Sequence, residues 1–183
     1  FFCALHNFLF LIGMHTKKMI RILFISRSYP PVVGGIENQN YELSRWLPKI
    51  AEVRTIANTR GKLFLPIFLP LALIKALFLF RKYDALLLGD SVLAIIGWKL
   101  KFFYRKPVFC VAHGLDLTYK NVFYQKFWVG MFLKKMDKLI AVGNETIRAG
   151  VERGIPSDKF VFIPNGVDTD KFYKPTERSE LEK

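Results

Sequence analysis

Three stretches of this chain carry side chains able to do chemistry, and each follows an apolar run. The first is His113-Gly114-Leu115-Asp116. An imidazole titrates near neutrality, so His113 suits general acid/base work or donation to a substrate oxygen or phosphate; a structural histidine at a strand end is the competing reading. The second is Gly34-Gly35-Ile36-Glu37. A glycine pair opening a helix leaves backbone N–H groups free and lets an anion approach closely, although the same pair also makes a plain turn. Glu37, in the first helical turn, suits the positive end of the helix dipole. The third is Pro164-Asn165-Gly166-Val167-Asp168. Asp90 and Asn144 complete the candidate polar groups, and Asn144 also reads as a helix N-cap.

Several chemistries lack their signatures. No His, Cys and Asp set has metal-ligand spacing, so no metal is expected. There is no P-loop and no G-x-S-x-G elbow. The loop at Gly34-Gly35 is long, carries Pro30-Pro31 and departs from G-x-G-x-x-G, which disfavours hydride transfer.

The elements that must hold these residues alternate. Residues 20–26, a continuous apolar run, predict a strand buried on both faces, and residues 53–57, 83–88, 106–113, 138–142 and 160–163 predict five more strands. Helices are expected from Ile36 to Leu47, over 92–103, over 121–135, and from Asn144 to Arg153, where Gly154 fits the C′ position and Pro156 follows. The alternation implies an α/β fold: a Rossmann-like, doubly wound parallel sheet. In such sheets ligands bind beyond the carboxyl ends of the strands. Gly34, Gly35, Asp90, His113, Asp116 and Asn144 all fall there. Residues 63–80 form the most hydrophobic stretch. Its length touches the threshold for a membrane span, but Pro66, Pro70 and Lys75 argue against one. A core helix, an apolar loop leading into a helix, and a helix lying in a membrane interface all stay open.

The chain has 183 residues, enough for one domain, and half are hydrophobic. Its net charge of +13 favours a polyanionic partner. No nucleic-acid signature accompanies it. The cations instead flank apolar runs, as in Phe80-Arg81-Lys82 and Lys99-Leu100-Lys101-Phe102-Phe103, a pattern suited to an anionic membrane surface as well as to a solvated face. Two cysteines, Cys3 and Cys110, make no disulfide framework, and Cys110 is expected as a buried thiol. The expected location is cytoplasmic, with peripheral contact at the inner face of the membrane. Residues 1–18 read as an extension preceding Met19, outside the domain.

Taken together, Tyr29-Pro30-Pro31…Gly34-Gly35-x-Glu37, His113-Gly114-x-Asp116 and Ile163-Pro164-Asn165-Gly166-Val167-Asp168…Phe172 resemble the N-terminal half of a GT-B-fold retaining glycosyltransferase of family four. The resemblance covers residues 19–172. It implies that Gly34 and Gly35 line an interdomain cleft and that His113 sits near the transferred sugar. Glu37 and Asp116 match motif positions, and Asn165 leads toward a linker starting at 173–183. It implies a nucleotide-sugar donor, a glycan or lipid-linked acceptor, and neither cofactor nor metal. The family's donor-binding second domain is not in this chain, so the chain by itself is expected to be inactive, its partner domain lying in a longer chain or a separate one. Polar Gln39 and Asn40 and the apolar run 63–80 depart from the family pattern. Two other readings stand beside this one: a non-catalytic acceptor- or membrane-binding subunit, and half of a sugar-nucleotide epimerase.

Overall fold

The six predicted strands form one parallel sheet. The structure, a computed structural model, describes residues 19–166. The strands are β1 (Arg21–Ser26), β2 (Glu52–Ala57), β3 (Ala85–Leu88), β4 (Val108–Ala112), β5 (Lys138–Ala141) and β6 (Phe160–Phe162). They lie in the order β2-β1-β3-β4-β5-β6, and every neighbouring pair is parallel. Every residue of β3 and β4 is buried, as continuous apolar sequence requires of strands covered on both faces. Alternate residues feed two cores. Leu23, Ile25, Leu86, Leu88 and Cys110 point to one, and Ile22, Phe24, Leu87, Phe109 and Val111 to the other.

Helix α1 (Gly35–Trp46) covers the second core with Leu43, and Leu47 follows it there. The first core lies under α2 (Leu65–Leu79) and α3 (Ala94–Tyr104), with residues 122–135 beside them. That last stretch is helical as expected but mixed in kind. A turn, α5 (Val122–Tyr124), passes into a π-helix over Gln125–Phe132 and a 3-10 turn over Leu133–Lys135. Helix α6 (Asn144–Glu152) also leans on the first core through Ala149. Helices on both faces make the sheet doubly wound. The chain leaves β1 for β2 on one side and returns to β3 on the other, so the strand order reverses between β1 and β3. That switch point is where such sheets open a crevice.

Local corrections follow from backbone geometry. Helix α1 starts at Gly35, one residue before Ile36. Asn144 is not the cap of α6. Gly143 is, in extended conformation, its carbonyl accepting from the Thr146 and Ile147 amides, and Asn144 is the first helical residue. A short helix not read from the sequence, α4 (Gly114–Thr118), begins directly after His113. Residues 63–80 are helical almost throughout, a 3-10 turn over Lys62–Phe64 running into α2. At the end of α6, Gly154 adopts φ +72°. Its amide bonds to the Val151 carbonyl at 2.8 Å and that of Ile155 to Gly150 at 3.1 Å, the paired bonds of a Schellman stop. Cys110 is a buried free thiol. Cys3, the extension 1–18, Asp168, Phe172 and the linker 173–183 lie outside the described residues.

Candidate functional site

At the switch point a charged pair bridges the gap between β1 and β3. Arg27, the first residue past β1, donates from Nε to Asp90 Oδ1 at 2.8 Å. Asp90 is completely buried, and the same oxygen accepts from the Val92 amide at 2.9 Å, capping the turn Ser91–Leu93. Asp116, one turn after His113, stands 4.0 Å from Arg27 Nη2 and accepts from the Ser91 amide at 3.2 Å. One guanidinium thus joins the loops after β1, β3 and β4. Burial pushes the Asp90 carboxyl above its ordinary value; Arg27 opposes that and the Asp116 charge adds to it. Burial also works against the Arg27 cation, but Asp90 and Asp116 outweigh it and hold the guanidinium protonated. Tyr124, in α5, faces the same cluster. Its phenol is pushed up by burial first and by Asp116 next. The Tyr124 hydroxyl and Asp90 Oδ2 are buried without a hydrogen-bond partner among the described residues.

His113 leads from β4 into α4 as its N-cap residue, its carbonyl accepting from the Asp116 amide at 3.1 Å. Its Nε2 lies 3.3 Å from the Gly89 carbonyl oxygen. A carbonyl only accepts, so in this contact Nε2 carries the proton, and Nδ1 is the acceptor nitrogen of the neutral ring. The imidazole is half-buried, held at one end and available at the other.

The two glycines differ. Gly34 is extended, and a side chain there would collide with the carboxylate of Glu37, which folds back over it. Glu37 is buried and occupies the positive end of its own helix. The chain therefore fills the approach over Gly34 itself. Gly35 is exposed, and no atom lies within 4 Å of where its Cβ would stand. The open approach at this helix start belongs to Gly35.

Two asparagines fix the surrounding loops. Asn40, fully buried on α1, donates to the Ser28 carbonyl at 3.3 Å, and its Oδ1 would lie 2.6 Å from a Cβ at Gly89. Asn58, just past β2, donates to the carbonyls of Arg27 at 3.0 Å and Gly61 at 2.9 Å.

Of the residues singled out in the sequence, the fold brings Asp90, His113 and Asp116 into one bonded cluster. The Gly34–Glu37 turn borders it through α1. Asn144 is exposed at the head of α6, which packs beside α4, where a Cβ at Gly114 would lie 3.7 Å from Thr146 Oγ1. Asn165 is exposed past β6, two strands from β4, or about 10 Å across the sheet. Sequence reasoning missed Arg27, Asn40 and Tyr124. Arg27 carried a usable signal, being the first residue past an apolar run at the carboxyl end of a strand. Among the described residues no three His, Cys, Asp or Glu side chains are grouped so as to hold a metal ion. The groups present suit hydrogen bonding to hydroxyl and phosphate oxygens, with one imidazole placed for proton transfer.

Solved structures share this architecture. The Anabaena protein HepE in complex with UDP superposes with a TM-score of 0.64 at 17% identity, over 89% of this chain and 49% of that one. Its complex with UDP-glucose gives 0.64 at 18% identity over the same shares. The apo form of the lipopolysaccharide outer core galactosyltransferase WaaB gives 0.56 at 13% identity, over 81% of this chain and 46% of that one. The chain thus spans about half the length of these proteins. No curated protein matches it in sequence. Residues 33–171 match the profile of Glycosyltransferase Family 4. By that match, and by a sheet that follows the GT-B glycosyltransferases, the chain belongs to Glycosyltransferase Family 4 and has the N-terminal α/β domain of that fold.

Proposed function

We propose that this domain forms the acceptor-side wall of a retaining glycosyltransferase. The enzyme would transfer a sugar from a nucleotide-sugar to a glycan or lipid-linked acceptor, with the donor nucleotide held mainly by a second domain. The observation that carries the reading is the anchored His113. Its ring is fixed to the Gly89 carbonyl at the end of β3, beside a switch point cross-linked by Arg27, Asp90 and Asp116. A rigid floor with one available imidazole nitrogen suits orientation of a sugar hydroxyl or phosphate oxygen. Exposed Gly35 gives backbone access on the other side of the crevice. The bound UDP and UDP-glucose in HepE support a nucleotide-sugar as donor. In this reading, backbone amides and cationic groups stabilise the departing diphosphate.

The test joins the chain to a donor-binding domain, in one polypeptide or as two, and follows sugar transfer. His113→Ala should lower turnover by about 100-fold or more, within the range for a positioned acid/base group, while circular dichroism stays unchanged. Near-normal turnover would sink the role given to His113. Measurable transfer by the 183-residue chain alone would sink the assignment of the donor site to another domain.

A further inference from the structure

Helix α2 is apolar but for Lys75, yet only one side of it is in the core. Phe68, Ala72 and Ala76 are buried against the sheet. Ile67, Leu71, Ile74 and Phe78 are exposed, at 53–71% of their surface. At 3.6 residues per turn the two sets are centred about 130° apart. The exposed stripe extends at both ends. Leu63 precedes it at 97% exposure. Past Phe78 it meets α3, whose Tyr104 hydroxyl donates to the Leu77 carbonyl and whose ring packs edge-on to Phe80 with centroids 5.5 Å apart. That fastening brings the end of α3, which carries exposed Phe102 and Phe103, against the far end of α2.

The charge around the stripe has one sign. Residues 59–83 and 91–115 contain no Asp or Glu. Lys62, Lys75, Arg81, Lys82, Lys99 and Arg105 are exposed, and none forms an ion pair among the described residues. A contiguous apolar patch of this kind marks an interaction site. An apolar stripe carried on segments whose only charges are cations is complementary to one occupant: a bilayer with anionic headgroups, which takes the side chains into its interface and pairs the cations. We propose that the outer face of α2, with Phe102 and Phe103, docks this domain on an anionic membrane surface. The helix lies along the interface and does not span it. The 21-residue segment Lys62–Lys82 has the length and a mean hydropathy of 2.4 suited to spanning, but spanning would pull Phe68, Ala72 and Ala76 out of the core. A second copy of the chain is a poor occupant, because it would set two such cationic segments face to face.

The stripe starts at the lip of the candidate site. Leu63 stands two residues past Gly61, whose carbonyl shares Asn58 with that of Arg27. Docking through α2 would therefore hold the crevice near the lipid surface. This last step rests on the reading of the crevice as an acceptor site. The docking itself does not, and is tested without sugar transfer.

The full chain is incubated with vesicles of phosphatidylcholine alone and with about a third phosphatidylglycerol, and sedimented. Binding is expected on the anionic vesicles, weaker by about tenfold or more on the neutral ones, and lost when salt is raised to about 0.5 M. A double variant, Leu71→Ser with Phe78→Ser, should lower partitioning at least about tenfold, with circular dichroism and sedimentation velocity in solution unchanged. Lys75→Glu with Lys82→Glu should do the same and abolish the preference for anionic lipid. No binding to anionic vesicles at low salt would overturn the proposal. So would binding that the stripe variant leaves intact, since another segment would then be the anchor. A dimer in solution that the stripe variant breaks would overturn it in favour of a second copy.

Discussion

Replacing Arg27 by Met tests whether the charged cluster holds the switch point together. Met keeps most of the length and removes the charge. Arg27 is 14% exposed and Asp90 completely buried, so water screens little of their attraction. Two unit charges about 4 Å apart attract by about 4 kcal/mol at an effective dielectric of about 20. Deleting one member of a buried pair costs about 3–5 kcal/mol, because the other is left uncompensated. The expected loss is therefore about 3–4 kcal/mol, measured by urea unfolding of the full chain. The Asp90 carboxyl already sits above its ordinary value, through burial, and losing Arg27 raises it further. A carboxyl raised in the folded state favours folding at low pH and loses that contribution as pH rises through its folded value. The deficit of Arg27→Met should thus shrink on acidification. Adding Asp90→Asn, which keeps an acceptor for the Val92 amide, should recover about 2 kcal/mol or more. A loss below about 1 kcal/mol, or single-variant costs that add within about 0.5 kcal/mol in the double, would refute the buried-pair argument.

Two other perturbations separate stability from function. Gly35→Ala meets open space within a helix, so it should raise stability by about 0.5–1 kcal/mol in urea unfolding while lowering transfer in the reconstituted enzyme; unchanged transfer would remove Gly35 from the crevice. The Asp84 carboxyl is held below its ordinary value by hydrogen bonds from the Arg21 guanidinium, so its stabilising contribution is present above about pH 4 and lost as pH falls through the lowered folded value. Asp84→Asn should therefore be destabilising at neutral pH, by about 1 kcal/mol or less for so exposed a pair, and nearly neutral at about pH 2–3; a pH-independent difference would count against the ion pair.

The centre of the sheet was legible because its strands are written as near-unbroken apolar runs, and β3 and β4 are buried at every position as that pattern demands, whereas edge strand β2, with Glu52, Arg54 and Thr55, is buried only at Ile56. The stop at Gly154 was legible because the chemistry of a positive φ is local. Other features depend on contacts that no local pattern records. Gly34 read as room for a ligand, and in the fold that room is taken by Glu37, three residues away. Asn144 and Gly143 differ by a single position in cap assignment, and the extended backbone of Gly143 decided between them. The π-helix preserves the apolar spacing of an ordinary helix, so Gln125–Phe132 carried no distinguishing mark. Asp90 was found by its place at a strand end; Arg27 stands at a strand end too, but its pairing with Asp90, 63 residues on, shows itself only once β1 and β3 lie side by side.

The contact between Asn40 and Gly89 has a consequence for descent. A side chain at 89 has no room while Asn40 is present, and a larger residue at 40 has none while the β3 loop stays where it is. The two positions can change only in step: a smaller residue at 40 frees 89, and nothing at 89 is smaller than glycine. Among proteins sharing this fold, the two columns should co-vary, with bulk at 89 found only beside alanine or glycine at 40. A sequence carrying bulk at both would have to swing α1 off the sheet and widen the crevice beside it.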